Sequence, residues 1–273
     1  MLTFKDKGKA IAVIHGGPLD GEIISVTEEE KNTGGSYYSD SEDEFYSDDD
    51  YEDDINDKFF DLHGQGKLVP VPSVDTRQVT YIAGPSGSGK STYASEQAMK
   101  YRKLFPKNPI YIFSRLDNDS AFDSKFSPPP IRVKINESLI TNPIDITKQI
   151  KGGALVIFDD VDTIPDEKIR KAVVKLENDI LEVGRHQNVY IICTSHLING
   201  NDKKFSRTIL NEAHTVTVFP KSGSSYQINY MLKNYMGCNK KQIDHILSLP
   251  SRWVTVIKGY PQAIIHEGGC FLL

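Results

Sequence analysis

A chain of 273 residues with 38% hydrophobic content has room for one large α/β domain with a real core. No apolar run approaches the length of a membrane span, and Cys193, Cys238 and Cys270 are too few and too scattered for a disulfide framework or a metal-ligand spacing. The formal charge of −5 conceals an asymmetry: fourteen acidic residues and only Lys31 lie between Glu28 and Asp57, which leaves about +8 on the rest.

The amino terminus (M-L-T-F-K-D-K-G-K) lacks an apolar signal core, so a soluble protein with reduced thiols in a cytosol-like compartment is expected. Ala10–Ile14 and Glu22–Val26 read as short strands around the turn-rich G-G-P-L-D-G. These form an amino-terminal β segment, residues 1–27. Residues 28–58 make an acidic insert with too little apolar surface to order itself. Its aromatic residues, interleaved with acids, suit a basic groove; a solvated linker is the plain alternative. Phe59–Val74, with Pro70 and Pro72, reads as an extended lead into the main domain, residues 59–273.

The most informative stretch is Val79–Thr92, V-T-Y-I-A-G-P-S-G-S-G-K-S-T. A β-rich apolar run feeds G-x-x-x-x-G-K-[ST], and a helix leaves it with apolar residues at Ala94, Ala98, Tyr101 and Phe105. Gly84, Pro85, Ser86, Gly87, Ser88, Gly89, Lys90, Ser91 and Thr92 are the expected nucleotide-binding residues. Glycines let successive N–H groups surround a polyphosphate, and the helix terminus adds unpaired N–H groups and partial positive charge. Lys90 is expected on the β- and γ-phosphates of ATP, and Ser91 on Mg²⁺.

Ile110–Phe113 is a buried strand candidate, and Ile131–Lys134 another after Pro128–Pro130. Ala154–Phe158 is a continuous apolar run, as a parallel strand covered on both faces requires. It ends in Asp159 and Asp160, on the edge where open α/β sheets bind ligands. One carboxylate there can hold Mg²⁺ and the other activate a water aimed at the γ-phosphate. Thr163, Pro165 and Asp166 read as a helix start, and Ile169, Val173, Leu176 and Ile180 as its buried face, stopped at Gly184. Val189–Cys193 is a further strand, ending in Thr194-Ser195-His196. Thr194 or Ser195 is a γ-phosphate sensor candidate, His196 a weaker one, with plain loop capping as the alternative.

Arg185 precedes its strand and so falls on the edge away from its own phosphates. It can serve a neighbouring subunit in trans, or simply be a solvated arginine. Beyond it, Arg207–Ala213, Tyr226–Tyr235 and Lys240–Leu249 read as helices, and His214–Phe219, Trp253–Lys258 and Gln262–His266 as strands continuing the sheet. Lys203, Lys204, Lys240, Lys241 and the Lys100/Arg102/Lys103 cluster are candidate contacts to a phosphate backbone, or ordinary surface lysines.

G-P-S-G-S-G-K-S-T, L-V-I-F-D-D-V-D and V-G-R-H-Q-N before an apolar strand together resemble the poxvirus-type genome-packaging ATPases of large DNA viruses, in the FtsK/HerA superfamily of P-loop NTPases. The resemblance covers roughly Thr80 to Phe219. It implies an α/β fold with a mainly parallel, RecA-like central sheet flanked by helices. It also implies ATP hydrolysis coupled to double-stranded DNA translocation into a capsid by a homo-oligomeric ring. Lys90 and Ser91 then match the phosphate and Mg²⁺ ligands, Asp159 the metal-side acid, Asp160 the water-activating acid and Arg185 the trans arginine. Such a motor would act in the cytoplasm or viral factory of an infected cell, or in the virion. The family often carries glutamine where this chain has Thr194. Among rivals, a GTPase needs N-K-x-D, and Asn239-Lys240-Lys241-Gln242 lacks the aspartate. A nucleoside or nucleotide kinase needs an arginine-rich lid, yet Ser195–Trp253 offers only Arg207 and Arg252. A non-catalytic scaffold would not need both acids.

Overall fold

The computed structural model describes residues 1–4, 8–27, 58–196 and 203–273, with the side chains of residues 203–207 excepted. The acidic insert, and the Lys203, Lys204 and Arg207 side chains, therefore lie outside what is described. In chain order the elements are β1 (Leu2–Thr3), β2 (Lys9–His15), β3 (Ile23–Val26), β4 (Phe59–Asp61), β5 (Lys67–Pro70), β6 (Val79–Ala83) and α1 (Lys90–Leu104). β7 (Ile110–Ser114), β8 (Ile131–Lys134), α2 (Ser138–Thr141), α3 (Ile146–Gln149), β9 (Leu155–Phe158) and α4 (Glu167–Glu182) follow. The chain continues with β10 (Tyr190–Ser195), α5 (Lys203–Glu212), β11 (Thr215–Val218), α6 (Ser225–Tyr235), α7 (Lys240–Ser248), β12 (Val254–Ile257), β13 (Ala263–His266) and β14 (Gly269–Leu272).

Ten strands form the central sheet in the order β4-β14-β13-β12-β11-β6-β10-β9-β7-β8. The six from β11 to β8 are parallel to one another. The other four form an antiparallel extension that starts at β12. β6 and the continuous apolar run of β9 are buried along their whole length, as strands covered on both faces must be. Alternation divides their side chains between two cores. Ile82, Ile112, Ile157 and Ile192 pack with Ala94, Ala98 and Tyr101 of α1. Tyr81, Phe113, Phe158 and Cys193 pack with Val173, Leu176 and Ile180 of α4. At about 1.5–3 kcal/mol for each large apolar side chain taken from water, these layers supply most of the force holding the sheet flat between its helices.

A second, four-stranded sheet has the order β1-β3-β2-β5. Its fourth strand comes from beyond the acidic run, whereas β4, just before it, joins the central sheet through β14. The extended lead predicted over Phe59–Val74 is thus two strands serving two sheets. The start of α4 also differs from the sequence expectation. Asp166, rather than Thr163, caps it, accepting from Lys168 N at 2.8 Å and Ile169 N at 2.9 Å, while Thr163 ends a preceding 3-10 turn. Proline at position 165 has no N–H to offer and fixes an extended approach, so the cap falls just after it. At the other end, buried Arg77 donates to the carbonyls of Ile180 and Leu181, filling terminal acceptors of α4 with a cation.

Candidate functional site

The site is assembled by sheet register. β10 lies between β6 and β9, with Ser195 level with Ala83 and Cys193 level with Phe158. Phe113 of β7 is also level with Phe158. One step further along the same parallel strands are Ser114, Asp159 and Thr194, all on the face from which α1 emerges. Asp159 is consequently held from both sides: Ser114 Oγ donates to Oδ2 at 3.0 Å, and Thr194 Oγ1 lies 3.1 Å from Oδ1. Burial and the neighbouring Asp160 push the Asp159 carboxyl above its usual range, and the two hydroxyls pull it back.

Asp160 turns away from the strand with φ 47°, in the left-handed region that a non-glycine residue seldom adopts. Thr194 Oγ1 accepts from Asp160 N at 2.9 Å and lies 3.1 Å from Asp160 Oδ1. A hydroxyl has one proton, so it serves one carboxylate at a time and ties the positions of both acids together. Thr194 therefore meets the acids, Ser195 continues the ladder by accepting from Gly84 N at 3.1 Å, and His196 Nε2 lies 3.6 Å from Asp160 Oδ2. Asp162, whose carboxylate accepts from His196 N at 2.9 Å, completes an acidic corner.

The loop from Gly84 to Gly89 curls over this edge. A Cβ on Gly84 would come within 2.7 Å of Phe219 Cδ2 and 2.8 Å of Ser88 Oγ, so only glycine fits there. Gly87 (φ 76°) and Gly89 (φ 107°) take positive φ, which lets consecutive N–H groups converge. Lys90, 5% exposed, donates to Pro85 O at 3.4 Å and stands 3.9 Å from Asp160 Oδ1. Among the described residues Ser88 Oγ is buried without a hydrogen-bond partner, as an atom aimed at a ligand would be. The oxygen donors of Ser91 and Asp159 suit a hard divalent cation. Bound there, Mg²⁺ would neutralise phosphate charge. Arg185 is exposed in the 3-10 turn Gly184–Gln187, ahead of β10 and on the opposite edge.

Sequence reading missed three contributors. Ser114 shows no motif, and its role appears only through the β7–β9 register. Asp162 closes the D-D-V-D run, and its contact with His196 depends on where β10 ends. Arg252 lies 164 residues from Ser88, yet its Nε donates to Ser88 O at 3.0 Å.

A parallel α/β sheet carrying a glycine-rich phosphate loop on one strand tip and paired carboxylates two strands away defines a P-loop nucleotide-binding protein. The chain is 54% identical over 205 residues to "Uncharacterized protein V3" of Sputnik virophage, covering 75% of this chain and 81% of that protein. It belongs to the same family as that virophage protein. No family model matches the chain. Among solved structures, the genome packaging NTPase B204 from Sulfolobus turreted icosahedral virus 2 in complex with ATP-gammaS is similar at 13% identity and TM-score 0.49, over 69% of this chain and 96% of that one. The pCW3 conjugation coupling protein TcpA is similar at 10% identity and TM-score 0.46, over 96% of this chain and 77% of that one. Among the described residues, no helix is long and apolar enough to cross a membrane.

Proposed function

We propose that this chain is an ATPase that couples Mg²⁺-dependent ATP hydrolysis to the movement of double-stranded DNA, packaging a viral genome. The observation that carries the hydrolytic part is the clamp of Asp159 and Asp160 by Thr194, beside Lys90 and the phosphate loop. Asp159 and Ser91 hold the cation; Asp160, partly exposed and level with the loop, takes the proton of the attacking water. Thr194 aligns both acids and is the sensor candidate. Translocation, a homo-oligomeric ring and capsid partners rest on the motif resemblance, and action in a viral factory or the virion rests on it and on the virophage source of the relative. Turnover measured with and without double-stranded DNA tests the reading. DNA is expected to raise the rate, and Lys90→Ala to abolish nucleotide binding. A rate that ignores DNA removes the motor and leaves a bare NTPase or a kinase.

Arg185 completes the reading. From the far edge of its own sheet it acts on the γ-phosphate of the next subunit. Arg185→Ala is expected to bind ATP and hydrolyse it poorly, and to regain partial activity when mixed with Asp160→Asn. If subunits demonstrably exchange and the mixture stays inactive, the trans role is wrong.

A further inference from the structure

A cavity of about 470 Å³ opens directly off the phosphate loop at Gly89 and Thr92. Its floor is aromatic. Tyr93 meets Trp253 edge-on with ring centroids 5.1 Å apart, and Phe219 at 6.5 Å. Tyr93 is fixed from below by its hydroxyl, 2.6 Å from Thr255 Oγ1. One wall is the face of α1 bearing Glu96, Met99 and Lys100; the facing wall is Leu68 and Val69 of β5, with His15 of β2 at the rim. The second sheet is docked against α1 by Gln97 Nε2 donating to Pro70 O at 3.1 Å and by the contact of Lys100 with His15. The guanidinium of Arg252 closes the end nearest the phosphates, lying over Gly89 and holding Ser88 O.

We propose that this cavity takes the ribose and base of the nucleotide whose phosphates occupy the loop, and that the amino-terminal sheet is its outer wall. The inference rests on the reading of the loop as a nucleoside triphosphate site. Whatever is esterified to the α-phosphate must leave the loop beside Thr92, where the cavity begins. Its volume lies in the range of about 300–1,000 Å³ of small-molecule sites, and its aromatic floor lies beneath a rim of charged groups that includes Lys67, Glu96, Lys100, Lys103, Arg252 and Glu267. Flat aromatic surfaces suit any base, while the Glu96 and Glu267 carboxylates can accept from an exocyclic amine or a ribose hydroxyl. This gives the small sheet a task that its strand pattern alone does not disclose: without it the base would face solvent.

Trp253 is the chain's single tryptophan, so the site carries its own reporter. Full-length protein is titrated with ATP and with inorganic tripolyphosphate, following Trp253 emission and competition for labelled ATP. Tripolyphosphate is expected to displace ATP without changing the emission. ATP is expected to change the emission and to bind at least about tenfold more tightly, the advantage a stacked base confers. Val69→Trp, which fills the cavity from the sheet side, is expected to weaken ATP binding about tenfold, measured by calorimetry, and to leave tripolyphosphate binding unchanged. If tripolyphosphate competes but ATP leaves Trp253 silent, or if Val69→Trp affects both ligands alike or neither, the cavity is not the nucleoside site and the loop reading stands. If tripolyphosphate fails to compete at all, the loop reading falls and the inference with it.

Discussion

Asp160→Asn is expected to bind ATP as the unaltered chain does and to hydrolyse it about 10²–10⁴-fold more slowly, the usual worth of a positioned general base. The amide keeps the size of the carboxylate and an oxygen that can still meet Thr194 Oγ1, now 3.1 Å from Asp160 Oδ1. The site's geometry therefore survives while the proton acceptor is lost. Thr194 supplies the contrast. Thr194→Val deletes the one hydroxyl shared by Asp160 N, Asp160 Oδ1 and Asp159 Oδ1, so it should reduce turnover by misplacing two intact acids. Thr194→Ser keeps the hydroxyl and should restore most of the rate. Single-turnover hydrolysis beside equilibrium ATP binding separates the two effects. Wild-type turnover by Asp160→Asn would remove Asp160 from catalysis and move attention to Asp162, the other acid of the same corner, beside His196.

What was readable in the sequence and what was not divides along the range of the interactions. The phosphate loop is a local object: eight consecutive residues specify it, and the strand and helix around it have periods that show in any window. The same holds for the apolar strand ending in Asp159, where continuous burial on two faces leaves a continuous hydrophobic run. The clamp on those acids is not local. Ser114, Asp159 and Thr194 meet because three parallel strands share one register, and nothing within any of the strands declares that register. Nor does a motif reveal that Asp160 adopts positive φ. Arg252 and the β5 wall are long-range placements of the same kind, fixed by which strands pair across the whole chain. The third strand of the carboxy-terminal meander, β14, was passed over because glycine and cysteine open it and its alternation is short. Glu177 is the sharpest case: on a helical wheel it sits beside Leu176 and Ile180, yet a glutamate is read by default as solvent-facing.

Glu177 is in fact fully buried, at 0% exposure, on the face of α4 that covers the central sheet. Among the described residues its carboxyl oxygens find no amide or hydroxyl partner, and the weakly donating Cys193 thiol lies beside it. Burial raises its pKa to about 8 from an ordinary 4.5. Between those two values the folded chain holds a proton that the unfolded chain has released. Stability therefore falls as pH rises through this window, by about 1.4 kcal/mol per pH unit where the difference is complete. The whole loss is of the order of 5 kcal/mol, a large share of the roughly 5–15 kcal/mol that keeps a domain folded. Below about pH 4.5 both states are protonated and the term vanishes; above about pH 8 both are ionised and the loss is constant. Glu177→Gln is neutral at every pH and close in shape, so it should lack this term, and its stability should gain on that of the unaltered chain as pH rises through the window. Urea unfolding of both proteins at pH 5.5, 7 and 8.5 measures the divergence, with the variant gaining steadily toward the alkaline end. Parallel stability curves would mean that Glu177 ionises at an ordinary pKa, and hence that water reaches it beneath α4. A divergence that grows from pH 5.5 and levels off above about pH 8 would instead fix the neutral acid as the form the core was packed around, with Cys193, its own thiol pushed well above the usual range by burial and by Glu177, protonated beside it.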